Sequence, residues 1–309
     1  MSQRIIPNIW CTGTAEETGE FYARAFSSAG FSASSEVESR YPTEGLLDFQ
    51  KPLAGKPLTV AVQIENTQLI LVNAGPEFSP NPSISFMLNF DPLMFDGDES
   101  LARERLTGLA RELGVGGTDL MPLGEYPFSA LYVWVQDRYG VSWQLMLTNP
   151  EGDPRPFVIP ALMFDGPSQD RAAEAADYYV SVFASTPGGT EIGNRSPYGQ
   201  PTGKASAEAL AFGEFRIGEQ WFMAADNGSG QDHGFTSGVS LQVNCDDQAE
   251  IDRLWEALSA VPQAEQCGWL VDQFGVSWQV VPTNMGELME REGAFEHLLA
   301  MKKIVIVDI

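Results

Sequence analysis

Histidine is nearly absent: the 309-residue chain holds two, His233 and His297. Cysteine is almost as rare, with only Cys11, Cys245 and Cys267, too few for a disulfide framework in a chain of this size. Positive charge is scarce as well, 18 Lys and Arg against 42 Asp and Glu, for a formal net charge of −24. Such a surface repels phosphate backbones and anionic lipid, so no nucleic-acid or membrane partner is expected. No apolar run approaches the ~18 residues that a membrane-spanning helix needs. The opening MSQRIIPNIW has no apolar stretch with a small-residue cleavage site, so no secretory signal is expected. These absences point to a cytoplasmic protein whose acidic surface serves solubility.

What the chain does have is repetition. GVSWQ occurs twice, at Gly140–Gln144 and Gly275–Gln279, inside QDRYGVSWQLMLTN (136–149) and VDQFGVSWQVVPTN (271–284), which agree at 8 of 14 positions. Upstream, IIPNIW (5–10) echoes VIPALM (158–163), FYARAF (21–26) echoes YYVSVF (178–183), and ISFMLNF (84–90) echoes VSLQVNC (239–245). The order of the echoes is kept, so the chain is a tandem duplication, and its length suits two units that each bury a core. TNPEGDPRPF (148–157), with three prolines, marks the boundary between 1–150 and 151–309.

Within each half the pattern restarts. A short strand at 5–11 leads to a helix opened by a Thr14-x-x-Glu17 capping box, with Thr18, Tyr22, Ala25 and Phe26 on its buried face. Strand-like runs follow at 33–39, 46–49, 58–64 and 68–73. A strand at 84–90, a helix at 100–113 and strands near 118–124, 130–136 and 141–147 complete the half. The second half repeats this order from 158 to 281, with the equivalent of 118–124 shrunk into PQAEQ (262–266). An amphipathic segment at 286–303 is expected to pack on the outside, and IVIVDI (304–309) to add an edge strand. The expected class is α+β: four βαβββ modules in two pairs, each pair a curved mixed sheet around a cavity with helices outside.

At this point the residues carry a resemblance. IPxIW, FYxxxF, VNCDxQxExDxLWxxLS, QCGWLVDQFGVSWQVVPT and LLxMKKI are similar to the PhnB-like branch of the vicinal oxygen chelate superfamily, which includes glyoxalase I, bleomycin-resistance proteins and extradiol dioxygenases. The resemblance spans both halves and implies paired βαβββ modules closing around a cavity. Members of the branch are often labelled 3-demethylubiquinone-9 3-methyltransferase. No strand, Gly-rich turn and helix with a downstream acidic residue occurs here, so methyl transfer is not expected.

The resemblance also implies a divalent metal held by His, Gln and Glu from the cavity strands, with the carboxylate four residues after a turn glycine. Those positions hold Gln144 and Gln279, and an amide is a weaker ligand than a carboxylate. The first and middle strands supply no His or Glu, so no metal and no cofactor are expected. Strand alternation puts Ser142, Gln144 and Met146 on the cavity side and Trp143 on the helix side, with Ser277, Gln279 and Val281 matching them. Asn8 and Trp10, or Ala161 and Met163, fall on a cavity wall. The candidate ligand-binding set is therefore Asn8, Trp10, Ser142, Gln144, Met163, Ser277 and Gln279. The same amides could instead knit the strands together. Cys245 and Cys267 align with Phe90 and Tyr132 and read as packing thiols, Asp137 and Asp272 as turn-shaping residues, and Asp226, Asp232, Asp246 and Asp247 as solvated loop acids. The expected function is metal-free binding of a small molecule. A metal-dependent enzyme of the glyoxalase or dioxygenase kind is the alternative, and decay of one half into a structural partner is a third. A monomer that acts as a fused pseudo-dimer, or a homodimer, is expected.

Overall fold

The computed structural model describes residues 3–48, 50–229 and 232–309. The first module runs β1 (Ile5–Cys11), α1 (Ala15–Ser28), β2 (Ala33–Arg40), β3 (Pro57–Ile64) and β4 (Thr67–Asn73). The second runs β5 (Ile84–Phe90), α2 (Glu99–Leu113), β6 (Thr118–Tyr126), β7 (Ser129–Gln136) and β8 (Ser142–Leu147). The third is β9 (Val158–Phe164), α3 (Ala172–Val182), β10 (Thr190–Pro197), β11 (Leu210–Ile217) and β12 (Gln220–Asp226). The fourth is β13 (Val239–Cys245), α4 (Gln248–Leu258), β14 (Trp269–Val271) and β15 (Ser277–Pro282), followed by α5 (Met285–Leu288) and α6 (Ala294–Ala300). Residues 46–48 form no strand, and Phe49, the end of the run expected at 46–49, lies outside the described residues.

Two mixed sheets result, and each takes one module from each half. The seven-stranded sheet, β14-β15-β13-β1-β4-β3-β2, joins the first and fourth modules. The eight-stranded sheet, β10-β11-β12-β9-β5-β8-β7-β6, joins the second and third. The joints are alike: β1 runs antiparallel to β13, Ile5 opposite Val243, and β5 runs antiparallel to β9, Ile84 opposite Leu162. The pairing expected within each half is thus replaced by pairing across the halves. Alternation along the four first strands assigns the face each side chain takes but not the strand that lies beside it, so their sequences do not choose among partners.

Inside each half the two modules meet through their helices instead. Tyr22 and Phe26 of α1 lie 5.2 and 5.5 Å from the Trp143 ring of β8. Tyr179 of α3 and Phe183 just after it lie 5.4 and 5.6 Å from Trp278 of β15. All six side chains are fully buried in one large core shared by both sheets.

Helix starts are closed by side chains, though not always the expected ones. The Thr14–Glu17 capping box does not form: Thr14 makes no side-chain cap bond, and Glu17 accepts the Tyr139 hydroxyl. Asn73, at the end of β4, takes the Ala15 N–H at 2.9 Å, a donor the local box could not outcompete. Its repeat equivalent Asp226 does the same for Ala172 and also accepts the Leu210 N–H. Asp226 is therefore a buried cap and not a solvated acid, and Asp247 caps α4 through Glu250 N–H.

The fourth module is the short one, since β14 has three residues and, among the described residues, no counterpart of β6 lies beside it. The C-terminal segment covers that edge, with Cys267 and Gly268 donating backbone bonds to the carbonyls of Met301 and Lys302. The strand expected at 304–309 is instead a single 3₁₀ turn, Ile306–Asp308, tied to Gln248. The segment at 286–303 breaks into two short helices that bury Leu288 and Ala294, and Phe295 reaches Tyr41 of the first module.

Candidate functional site

The GVSWQ repeat divides its work between the two faces of its strand. Gly140 and Gly275 take φ of +83° and +92°, left-handed values that glycine adopts without strain. The preceding aspartates fold over the turn. Oδ1 of Asp137 accepts the N–H groups of Tyr139 and Val141, while Oδ2 accepts Tyr22 OH at 2.7 Å and Trp143 Nε1 at 2.9 Å. Asp272 repeats the set with Phe274, Val276, Tyr179 and Trp278. These aspartates shape the turn and also pin a helix to it. Burial pushes both carboxyls above the ordinary carboxylate range, and the four donors oppose that rise. Burial likewise pushes the Tyr22 and Tyr179 phenols up, so they stay protonated as donors.

On the opposite face, Gln144 and Gln279 each donate to a serine one strand away: Nε2 of Gln144 to Ser85 Oγ at 2.8 Å, and Nε2 of Gln279 to Ser240 Oγ at 3.0 Å. These serines are themselves paired by the echo between ISFMLNF and VSLQVNC, a signal that could have found them. The two glutamines differ at the other end of the amide. Gln144 Oε1 accepts Tyr132 OH at 2.7 Å. The repeat places Cys267 where Tyr132 stands, and Gln279 Oε1 accepts no hydrogen bond among the described residues.

The surroundings differ in the same sense. On the eight-stranded sheet Ser142 Oγ accepts Trp134 Nε1 at 2.6 Å, and Met87, Ile159, Ala161, Met223 and Ala225 form a small apolar cluster. Met163 lies half-buried on β9 beside them. On the seven-stranded sheet Asn8 donates to Gln242 Oε1 at 3.4 Å and Gln242 to Asn244 Oδ1 at 2.9 Å, while Ser277 meets Ser237. Gln242 sits directly beside Gln279, whose other neighbour is Trp269. Trp10 is held by its indole N–H on Gly75 O and meets Trp269 edge-on at 5.9 Å and Phe78 at 5.1 Å. Flat neighbours three strands apart stand about 14 Å from one another, so the sheet curves and the two indoles lean together above the amides. Asn8, Trp10, Ser277 and Gln279 thus share one sheet, and Ser142, Gln144 and Met163 the other. Ser85, Ser240, Gln242, Asn244, Tyr132 and Trp269 complete what the sequence reading named only in part.

A divalent metal of the superfamily type does not fit these residues. Asn8 and Gln279 offer neutral amides on one sheet; on the other, Ala161 offers nothing and both ends of the Gln144 amide are engaged. Among the described residues no three His, Cys, Asp or Glu side chains gather to hold an ion. The remaining acids have protein partners: Asp232 pairs with Lys204, and Asp246 with Arg4. Cys11 and Cys245 are buried thiols that burial pushes up to about 12, and Cys267 is half-buried. Gly230 and Gln231, in the loop that carries His233, lie outside the described residues.

Comparison with known proteins agrees with this architecture. A PhnB protein from Bacillus cereus is 27% identical, over 47% of this chain and 100% of its own, with a TM-score of 0.37. A Pseudomonas aeruginosa protein is 20% identical over 47% of this chain and 98% of its own, TM-score 0.36. A glyoxalase I variant from Zea mays, 10% identical, covers 92% of this chain and 94% of its own with a TM-score of 0.50, a likeness of fold. No protein of curated function matches. No helix among the described residues is long and apolar enough to cross a membrane. The 3-demethylubiquinone-9 3-methyltransferase family matches residues 3–146 and again 156–281. Two matched copies, folded as three βαβββ modules and a fourth that is one strand shorter, make the chain a tandem member of the 3-demethylubiquinone-9 3-methyltransferase family, with a fold like that of glyoxalase I.

Proposed function

We propose that this is a metal-free small-molecule-binding protein whose ligand sits on the open face of the seven-stranded sheet. The observation that carries the reading is the unequal use of the repeated glutamine. Gln144 is saturated by Tyr132 and Ser85, as a residue that only knits strands should be. Gln279 keeps a carbonyl oxygen without a protein partner among the described residues, on a residue that is 8% exposed. That oxygen is not among the buried side-chain atoms left without a partner, so it reaches solvent and is open to a donor from a bound molecule.

The surroundings suggest what that is. The indoles of Trp10 and Trp269 offer flat apolar surface, and the Asn8–Gln242–Asn244 chain offers neutral polar groups. A flat, uncharged ligand with an N–H or O–H directed at Gln279 meets both needs. Methyl transfer is set aside, since the residues form no unit suited to a methyl-donor nucleotide. Native mass spectrometry with elemental analysis of the purified protein tests the reading. A retained organic molecule without stoichiometric metal is expected. One transition metal per chain, lost on Gln279→Ala, would replace the binding protein with a metalloenzyme.

A further inference from the structure

The open face of the eight-stranded sheet already holds a cation, and it is the chain's own. Arg155, from the linker between the halves, lays its guanidinium over the indole of Trp221, 3.9 Å from the ring centroid. Its Nε and Nη2 reach the two carboxylate oxygens of Glu214 at 2.9 and 3.1 Å. Glu214 is 6% exposed, and Asn194 donates to the same carboxylate at 3.4 Å. Met223 is the cross-strand neighbour of Glu214 and belongs to the apolar cluster with Met87 and Ile159, onto which Trp221 packs.

Each part suits one kind of ligand. A carboxylate matches the parallel N–H pair of a guanidinium, an indole face attracts its positive charge, and thioethers accept an apolar stem. Glu214 and Trp221 stand on the β11–β12 hairpin, whereas the occupant comes from a Pro154-Arg155-Pro156 linker. The first module builds the same hairpin in the same register, with Ala61 and Gln68 at these two places. Neither residue is therefore required by the module's fold. The net charge of −24 raises the local concentration of small cations around the chain.

We propose that Glu214 and Trp221 form a binding site for a small molecule bearing a guanidinium or amidinium group, and that Arg155 fills this site in cis. The site lies on the other sheet and stands independently of the reading above. A tethered side chain competes at millimolar effective concentration, so the wild-type protein masks the site from weak ligands.

Arg155→Met keeps an apolar stem on Trp221 and removes the charge. Calorimetric titration with butylguanidinium is expected to show binding to this variant roughly tenfold or more tighter than to wild type. Binding should vanish in Arg155→Met/Glu214→Gln, and the ligand should raise the melting temperature of the single variant. Absence of binding by Arg155→Met with a native circular dichroism spectrum would overturn the proposal, as would equal binding by wild type. If the variant does not fold, the Arg155 Nε–H resonance of the wild type decides. Its displacement by excess butylguanidinium supports the site, and its persistence overturns it.

Discussion

Replacing Asp137 by Asn tests whether the repeated aspartate joins the two modules of a half or merely shapes a turn. In the native protein its carboxylate takes four bonds, two backbone bonds on Oδ1 and the Tyr22 hydroxyl and Trp143 indole on Oδ2. Asn keeps Oδ1 and puts an NH₂ group where Oδ2 was, facing two donors. The phenol can turn and accept from it; the indole cannot. One bond to a charged group, about 1.5–3 kcal/mol, is lost and a buried N–H is left unmatched, while a neutral amide is cheaper to bury. The net expectation is a loss of about 2–3 kcal/mol, and Tyr22→Phe alone should cost about 1.5–2 kcal/mol. Because Asp137→Asn already turns the Tyr22 bond from a charged into a neutral one, Tyr22→Phe removes less in that background, and the double variant should fall short of the sum by about 1 kcal/mol. Urea unfolding followed by tryptophan fluorescence and circular dichroism measures all three, provided the slope is unchanged. A turn-shaping role alone would leave Asp137→Asn within about 0.5 kcal/mol of wild type, and additive effects would equally refute the shared bond.

Tyr132→Phe should cost about 1 kcal/mol by denaturant unfolding, because it leaves the Gln144 carbonyl without its donor. Cys11 and Cys245, with thiols pushed up to about 12 by burial, should resist a thiol reagent at neutral pH in the folded protein, leaving the half-buried Cys267 to react first. Reaction of all three at one rate without denaturant would contradict their placement. The interlocked halves supply within one chain the strand joints that separate copies would otherwise make; light scattering is expected to show a monomer, and a concentration-independent dimer would oppose this.

Alternation along single strands was legible in the sequence. In VSWQLM it placed Trp143 toward the helices and Gln144 on the other face, where the structure has them. The duplication was legible too, because identical tertiary contacts, Tyr22–Asp137–Trp143 and Tyr179–Asp272–Trp278, keep their residues in register. Strand partners were not. In IIPNIW, ISFMLNF, VIPALM and VSLQVNC alternation assigns faces but not neighbours, so nothing local distinguishes a joint within a half from one across halves. The capping box failed because a side chain distant in sequence, Asn73, reached the helix start first. The contrast between the two glutamines was partly visible, since the repeat aligns Tyr132 with Cys267. Its meaning depends on a cross-strand hydroxyl that only the sheet register reveals. The Arg155 cradle carried no local signal, since linker and hairpin are some 60 residues apart.

The claim that the seven-stranded sheet carries the ligand site is tested most directly by calorimetric titration of wild type, Gln279→Leu and Gln144→Leu with benzamide and nicotinamide. These probes are flat and uncharged, and each has an amide N–H. Binding by wild type and by Gln144→Leu, with loss in Gln279→Leu, is the expected pattern. Loss in Gln144→Leu with retention in Gln279→Leu, or no binding of either probe by wild type, would contradict it.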